Sequence, residues 1–202
     1  HLPAIETHLE GLRADKSAMH VLEGAAESVY SFTSDPDISR LGSLPDYDKV
    51  AKEILMWKLE HAKLCNDPFL IVRVEIGLGR LDHRSGWLTA AFGWFDKAYA
   101  ELERCHATAE YGKGLERNLM KRTRDQYNCM IDNLRIELQF EVALARRSLG
   151  ELETGAATLG RAADLSLALA ARDFPAESSY GCEQRGLWWA LQCKFMLAET
   201  FY

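Results

Sequence analysis

Proline is scarce, with five among 202 residues, and runs of alternating β-branched residues are nearly absent. Together these lacks exclude a sheet-rich domain and leave long stretches free to be helical. No uninterrupted apolar run approaches the ~18 residues of a membrane span. The opening segment HLPAIETHLEGLR has neither the basic leader nor the apolar run of a signal peptide. Positive charge is not in excess: the formal net charge is -6, so no global basic field calls for nucleic acid or an anionic membrane. No Cys-x-x-Cys pair occurs among Cys65, Cys105, Cys129, Cys182 and Cys193. An odd, scattered set does not resemble a secreted disulfide framework and is read as reduced thiols in an intracellular protein, cytoplasmic or nuclear.

Signatures of chemistry are missing as well. There is no phosphate loop, no Gly-x-Ser-x-Gly and no His-Glu-x-x-His. Gly77-x-Gly79 lies inside a helical pattern rather than after a strand. His61 and Cys65 are four apart on a helix, but no second ligand pair lies near them, so no metal site is expected. Lys121-Arg122-Thr123-Arg124 is too short to carry nucleic-acid binding by itself. These absences lead to the expectation of a non-enzymatic protein with no cofactor, no metal, no membrane span and no direct contact with nucleic acid.

What is present is helical periodicity throughout, which predicts an all-α chain of about seven helices in a single domain, residues 1–202. The first helical region runs from Pro3 to Phe32, and Ser34-Asp35-Pro36-Asp37 breaks the chain after it. A second helix is expected from Asp46 to Leu64, with a stripe at Val50, Ile54, Trp57 and His61. Asn66-Asp67-Pro68 ends it and caps a third helix from Pro68 to Arg84. Ser85-Gly86 separates this from a fourth, Trp87 to Tyr111. Leu115 to Leu149 contains neither Gly nor Pro and would be ~50 Å long if unbroken; if it breaks, the polar patch Asp125–Asn128 is the place, and a degenerate repeat then lies between the two visible ones. Gly150 precedes a helix from Glu151 to Ala171. The last, Glu183 to Tyr202, has its apolar stripe at Trp188, Leu191, Phe195, Ala198 and Tyr202; its aromatic set Trp188, Trp189, Phe195, Phe201 and Tyr202 is expected to pack against the preceding hairpin, the alternative being an exposed edge that docks a further repeat or a partner. Starting at His1 and stopping inside an apolar pattern, the chain reads as a piece of a longer protein with room for further repeats beyond Tyr202.

Laid on itself at an offset of 64 residues, the chain matches in size class. Leu78-Gly79 meets Val142-Ala143, Gly86 meets Gly150, Ala91 meets Gly155, Phe95 meets Leu159 and Ala98 meets Ala162. Small residues on the two helices of a hairpin let them approach closely, and glycine before the second helix suits a left-handed turn residue. The same offset carries Arg122–Leu138 onto Gly186–Tyr202. Leu-Gly on one helix with Ala-x-x-x-Phe on the next resembles the tetratricopeptide repeat (TPR). The clearest units are residues 68–111 and 115–172. Glu75 and Gln139 stand where that family has Trp, Asp82 and Arg146 where it has Tyr, and the spacing is nearly double the family's ~34 residues.

The resemblance implies a TPR-like α-solenoid of antiparallel helix hairpins, a scaffold or adaptor that binds a protein or peptide in a groove lined by first helices. Its partner-binding positions would be Arg73, Ile76, Arg80 and Arg84 in the first unit and Phe140, Leu144 and Arg147 in the second. Three guanidinium groups on one helix face suit the carboxylates of an acidic segment. The plainer alternative is arginines paired with acids of a neighbouring helix. Two other functional readings remain. Arg13 and His20, seven apart, resemble the Arg-x6-His arrangement of HEPN-type helical ribonucleases, in which His would move a proton and Arg steady a phosphate. The chain could also be the helical sensor domain of a transcription regulator.

Overall fold

The structure is a computed structural model describing residues 45–107, 124–172 and 182–201, with side chains described for 48–105, 128–172 and 185–200. Every described element is an α-helix: α1 (Pro45–Leu64), α2 (Pro68–Arg84), α3 (Leu88–Ala107), α4 (Arg124–Ser148), α5 (Leu152–Ala170) and α6 (Cys182–Phe201). No strand occurs among the described residues, and the all-α expectation holds. The expected helix at 3–32, Arg13 and His20 lie outside the described residues. The chain divides into two compact units, residues 1–62 and 63–202. In the first, α1 buries Val50, Ala51, Ile54, Leu55, Leu59 and Ala62. Trp57 and His61 are half-buried, so the interior stripe is rotated from the expected one.

In the second unit the helix ends follow local chemistry. Asn66 takes a positive φ of 51°. The Asp67 carboxylate then accepts the Leu70 amide at 3.1 Å, and Pro68 occupies the first helical turn. The turns from α2 to α3 and from α4 to α5 have the same hydrogen bonds 64 residues apart. Gly86 N–H donates to His83 O at 3.0 Å and Trp87 N–H to Asp82 O at 2.8 Å. Gly150 N–H donates to Arg147 O at 2.9 Å and Glu151 N–H to Arg146 O at 3.0 Å. This paired five-to-two and six-to-one bonding is the Schellman termination, which needs a left-handed residue. Gly86 and Gly150 both supply it at φ 81°.

Tight turns make α2 with α3, and α4 with α5, two helical hairpins. α4 also packs on α2 and α3, and α6 packs on α5 and α4. The main core joins Phe69, Val72 and Ile76 of α2, Phe95, Ala98 and Leu102 of α3, and Ile131, Leu134, Leu138 and Val142 of α4. α4 has a second interior face. Ala143 packs with Leu159, Ala162 and Cys193, and Cys129 and Ile136 with Leu169. α4 is helical through Asp125–Asn128, so the chain does not break at that patch; residues 115–123 lie outside the described set. Cys65, Cys105 and Cys193 are not disulfide-bonded. Cys129 is disulfide-bonded, which corrects the expectation of reduced thiols at every position and removes that support for a reducing compartment. Scattered spacing does not reveal which helices bring thiols together.

The small-residue pattern is realised with a change of partner. A Cβ on Gly79 would overlap the Phe95 ring, coming within 2.6 Å of Cδ1, so Gly79 faces Phe95 rather than Ala91. In the second hairpin the expected pairing occurs, because a Cβ on Gly155 would sit 3.2 Å from Ala143 O. Gly79→Ala should destabilise the protein by about 1–3 kcal/mol through overpacking against a buried ring. Gly93, where an added Cβ meets nothing within 4 Å, is the control: Gly93→Ala should be neutral or mildly stabilising in the same urea titration. Phe95→Leu should reduce the penalty of Gly79→Ala in a double-mutant cycle.

Candidate interaction surface

The seven residues expected to line a binding face divide by environment. Arg73 and Arg84 are exposed on α2. Ile76 is 1% exposed and belongs to the core between α2, α3 and α4. It stands one turn from Val72 and two from Phe69 on the same interior stripe, so it cannot itself meet a partner. Arg80 is partly buried and turned toward α4. Its Nε donates to Glu141 Oε1 at 2.7 Å and its Nη2 to Glu137 Oε1 at 2.8 Å. Phe140, Leu144 and Arg147 are half-buried on α4. The Phe140 ring lies 5.4 Å from that of Trp189 on α6, and Arg147 Nη1 reaches Met196 Sδ at 3.9 Å. The residues of α4 therefore look toward α6, while those of α2 look partly toward α4.

Arg80 is the electrostatic link between the first helices of the two hairpins. One fork holds two carboxylates one turn apart, a geometry for which a planar guanidinium is suited and an ammonium is not. Desolvation opposes its charge, but Glu141 and Glu137 outweigh that and hold the guanidinium protonated above its ordinary range. Burial pushes the Glu141 carboxyl up, with Arg80 opposing and Glu137 adding to the rise. Alongside, His83 Nε2 and Ser148 Oγ are 2.8 Å apart, and burial lowers the His83 pKa. The α2–α4 seam is thus held by polar contacts from Arg80 to Ser148. An acidic ligand at Arg80 would have to displace two resident carboxylates.

Glu75 was visible in the sequence only as a mismatch to the resembled family, and its environment is unusual. It is 5% exposed, and its Oε2 has no hydrogen-bond partner. Burial, then Glu101, raises its pKa to about 7, against opposition from Lys63 and Lys97. Nearby, Asp82 accepts the Trp94 indole N–H at 3.0 Å, and Lys97 Nζ lies 3.9 Å over the Trp94 ring. Asp82 and Trp94 anchor α2 to α3 in a way that sequence spacing does not disclose. Among the described residues no group of three or more His, Cys, Asp or Glu could hold a metal ion, and no helix is long and apolar enough to cross a membrane.

α6 departs furthest from expectation. Its largest apolar residues face solvent: Leu187, Trp188, Leu191 and Phe195 are 51%, 52%, 65% and 59% exposed. Ala198 is exposed too, whereas Gly186, Ala190 and Cys193 are buried. The helix lies on α5 by its small residues; a Cβ on Gly186 would sit 2.7 Å from Ser166 O. The core-packing expectation fails for this stripe because close helix approach selects small side chains at the contact and turns the bulky ones outward. Extending the 64-residue offset to α6 fails for the same reason, since Ile131 is buried and its counterpart Phe195 is not.

Two outcomes follow from these charges. Arg80→Ala should lower stability by about 3 kcal/mol by stranding Glu141, and Glu141→Leu in that background should restore much of it; chemical denaturation of the four-member cycle checks this. Glu75 binds its proton more tightly in the folded than in the unfolded state. The Glu75 contribution to stability should therefore be greatest below pH 4.5, fall as pH rises from 4.5 to about 7, and stop changing beyond. The wild-type stability minus that of Glu75→Gln, measured across this range, should fall by up to about 3 kcal/mol. Among known proteins, no family model, no curated protein and no solved structure matches the chain.

Proposed function

We propose that the chain is a non-enzymatic protein-interaction module, a scaffold or adaptor built as a TPR-like array of helix hairpins. The observation that carries this reading is the adjacency of first helices. α4 packs beside α2, so the two hairpins offer a continuous surface from one helix of each. The matching Schellman turns at Gly86 and Gly150 support successive equivalent units. The 25-residue α4 supports reading the array as a long-helix relative of a family whose unit is ~34 residues. Only a hairpin with an unburied apolar face gains by stacking, and such stacks present extended surfaces for binding.

The ligand in this reading is a protein or peptide segment, acidic where it passes Arg73, Arg84 and Arg147, and apolar where it passes Phe140 and Leu144. Arg80 and Ile76 act from behind, Arg80 by fixing the spacing of α2 and α4 and Ile76 by filling the core. The experiment is affinity capture with the protein, followed by binding assays on the Arg73→Glu/Arg84→Glu double variant. A tenfold or greater loss of affinity with unchanged helicity and melting temperature supports the surface. Unchanged affinity of every captured protein would remove Arg73 and Arg84 from it.

A further inference from the structure

The exposed face of α6 repeats at alternating steps of three and four. Trp188, Leu191, Phe195 and Ala198 occupy successive positions of a heptad seam, and all four are exposed. With Leu187 they present roughly 500 Å² of apolar surface on one helix, at the upper end of what a soluble monomer leaves bare. Trp188 is not splayed at random: its ring lies edge-on to Trp189 at 4.6 Å, and Trp189 in turn leans on Phe140. Trp188, at one end of the seam, is therefore held in place by a residue that is itself partly buried.

The geometry points to a second copy of this chain as the occupant, joined by antiparallel pairing of α6 with α6 about a two-fold axis near the level of Cys193. That register sets Trp188 opposite the second copy's Ala198, and Leu191 opposite its Phe195. Each layer thus joins a larger residue to a smaller one, and every layer is used twice by symmetry. A parallel pairing would instead stack Trp188 on its own counterpart and leave Ala198 facing Ala198, crowding one layer and emptying another. Charge agrees with the antiparallel choice. At the flanking positions, exposed Arg185 lies beside Glu199 of the second copy, giving two symmetry-related ion pairs. Gln192 meets Gln192 at the axis, and Lys194 approaches Lys194 across it. That single like-charge contact involves long exposed side chains that diverge into solvent. The area is below the ~800 Å² per partner of standard stable interfaces, so the dimer is a reversible one. The α2 and α4 surface takes no part, so this inference stands apart from the ligand reading above.

The test is sedimentation velocity of the protein from about 1 to 200 µM, a range that spans reversible self-association. A concentration-dependent monomer–dimer equilibrium is expected, and Leu191→Glu should abolish it. Glu199→Lys alone and Arg185→Glu alone should each weaken it about tenfold, and the Arg185→Glu/Glu199→Lys double swap should restore it. The charge variants lie on the surface and leave the fold intact, as circular dichroism would verify. A monomer across the whole range overturns the proposal. A dimer in which Arg185→Glu has no effect, or in which the double swap does not restore affinity, overturns the antiparallel register.

Discussion

The second unit depends on a helix that must be buried on two sides. α4 sends Ile131, Leu134, Leu138 and Val142 into the first hairpin, and Cys129, Ile136 and Ala143 toward α5 and α6. A helix with a single apolar stripe can close one hairpin and stop. A helix with two stripes has to be placed between layers, and it then fixes the distance between them. Polar residues are left only the narrow margins between these faces. Arg80, Glu137 and Glu141 meet on one margin, and Asp132 and Arg172 on another, 2.6 Å apart. In such positions a charge pair adds little net stability over an apolar contact of the same shape, but breaking one partner is expensive. The contribution of Arg80 is accordingly one of register: it holds α2 at one height against α4.

Much of this was legible where the signal is local. Asp67-Pro68, Gly86 and Gly150 act through their own backbone and nearest neighbours, and the helix ends found at Leu64, Pro68 and Arg84 coincide with those read from the sequence. Asymmetric packing was less legible. Ile76 and Arg80 both fall within one broad face of α2, and periodicity alone does not tell which edge of that face turns inward. The neighbour decides: Phe95 and Leu138 attract Ile76, while Glu137 and Glu141 attract Arg80. The same limit explains Gly79. A small residue there announces a close approach, but the angle at which α3 crosses α2 determines that the approaching group is Phe95. Pairing of Cys129 depends on tertiary neighbours and had no sequence signal at all.

α6 shows why apolar size and burial are separate quantities. Burying a large side chain removes more surface from water, yet contact between helix axes is closest where side chains are smallest. Gly186, Ala190 and Cys193 bring α6 close enough to α5 for backbone groups near Ser166 and Ala170 to limit the approach. That approach gathers many weak dispersion contacts along the helix. The alternative orientation, with Trp188, Leu191 and Phe195 against α5, would hold the helices farther apart and expose the small residues instead. Both faces can be satisfied together only if α5 covers the small side and another helix covers the large one. The heptad spacing of the large side, its graded residue sizes and its opposite charges at Arg185 and Glu199 are then the features that select which helix this is.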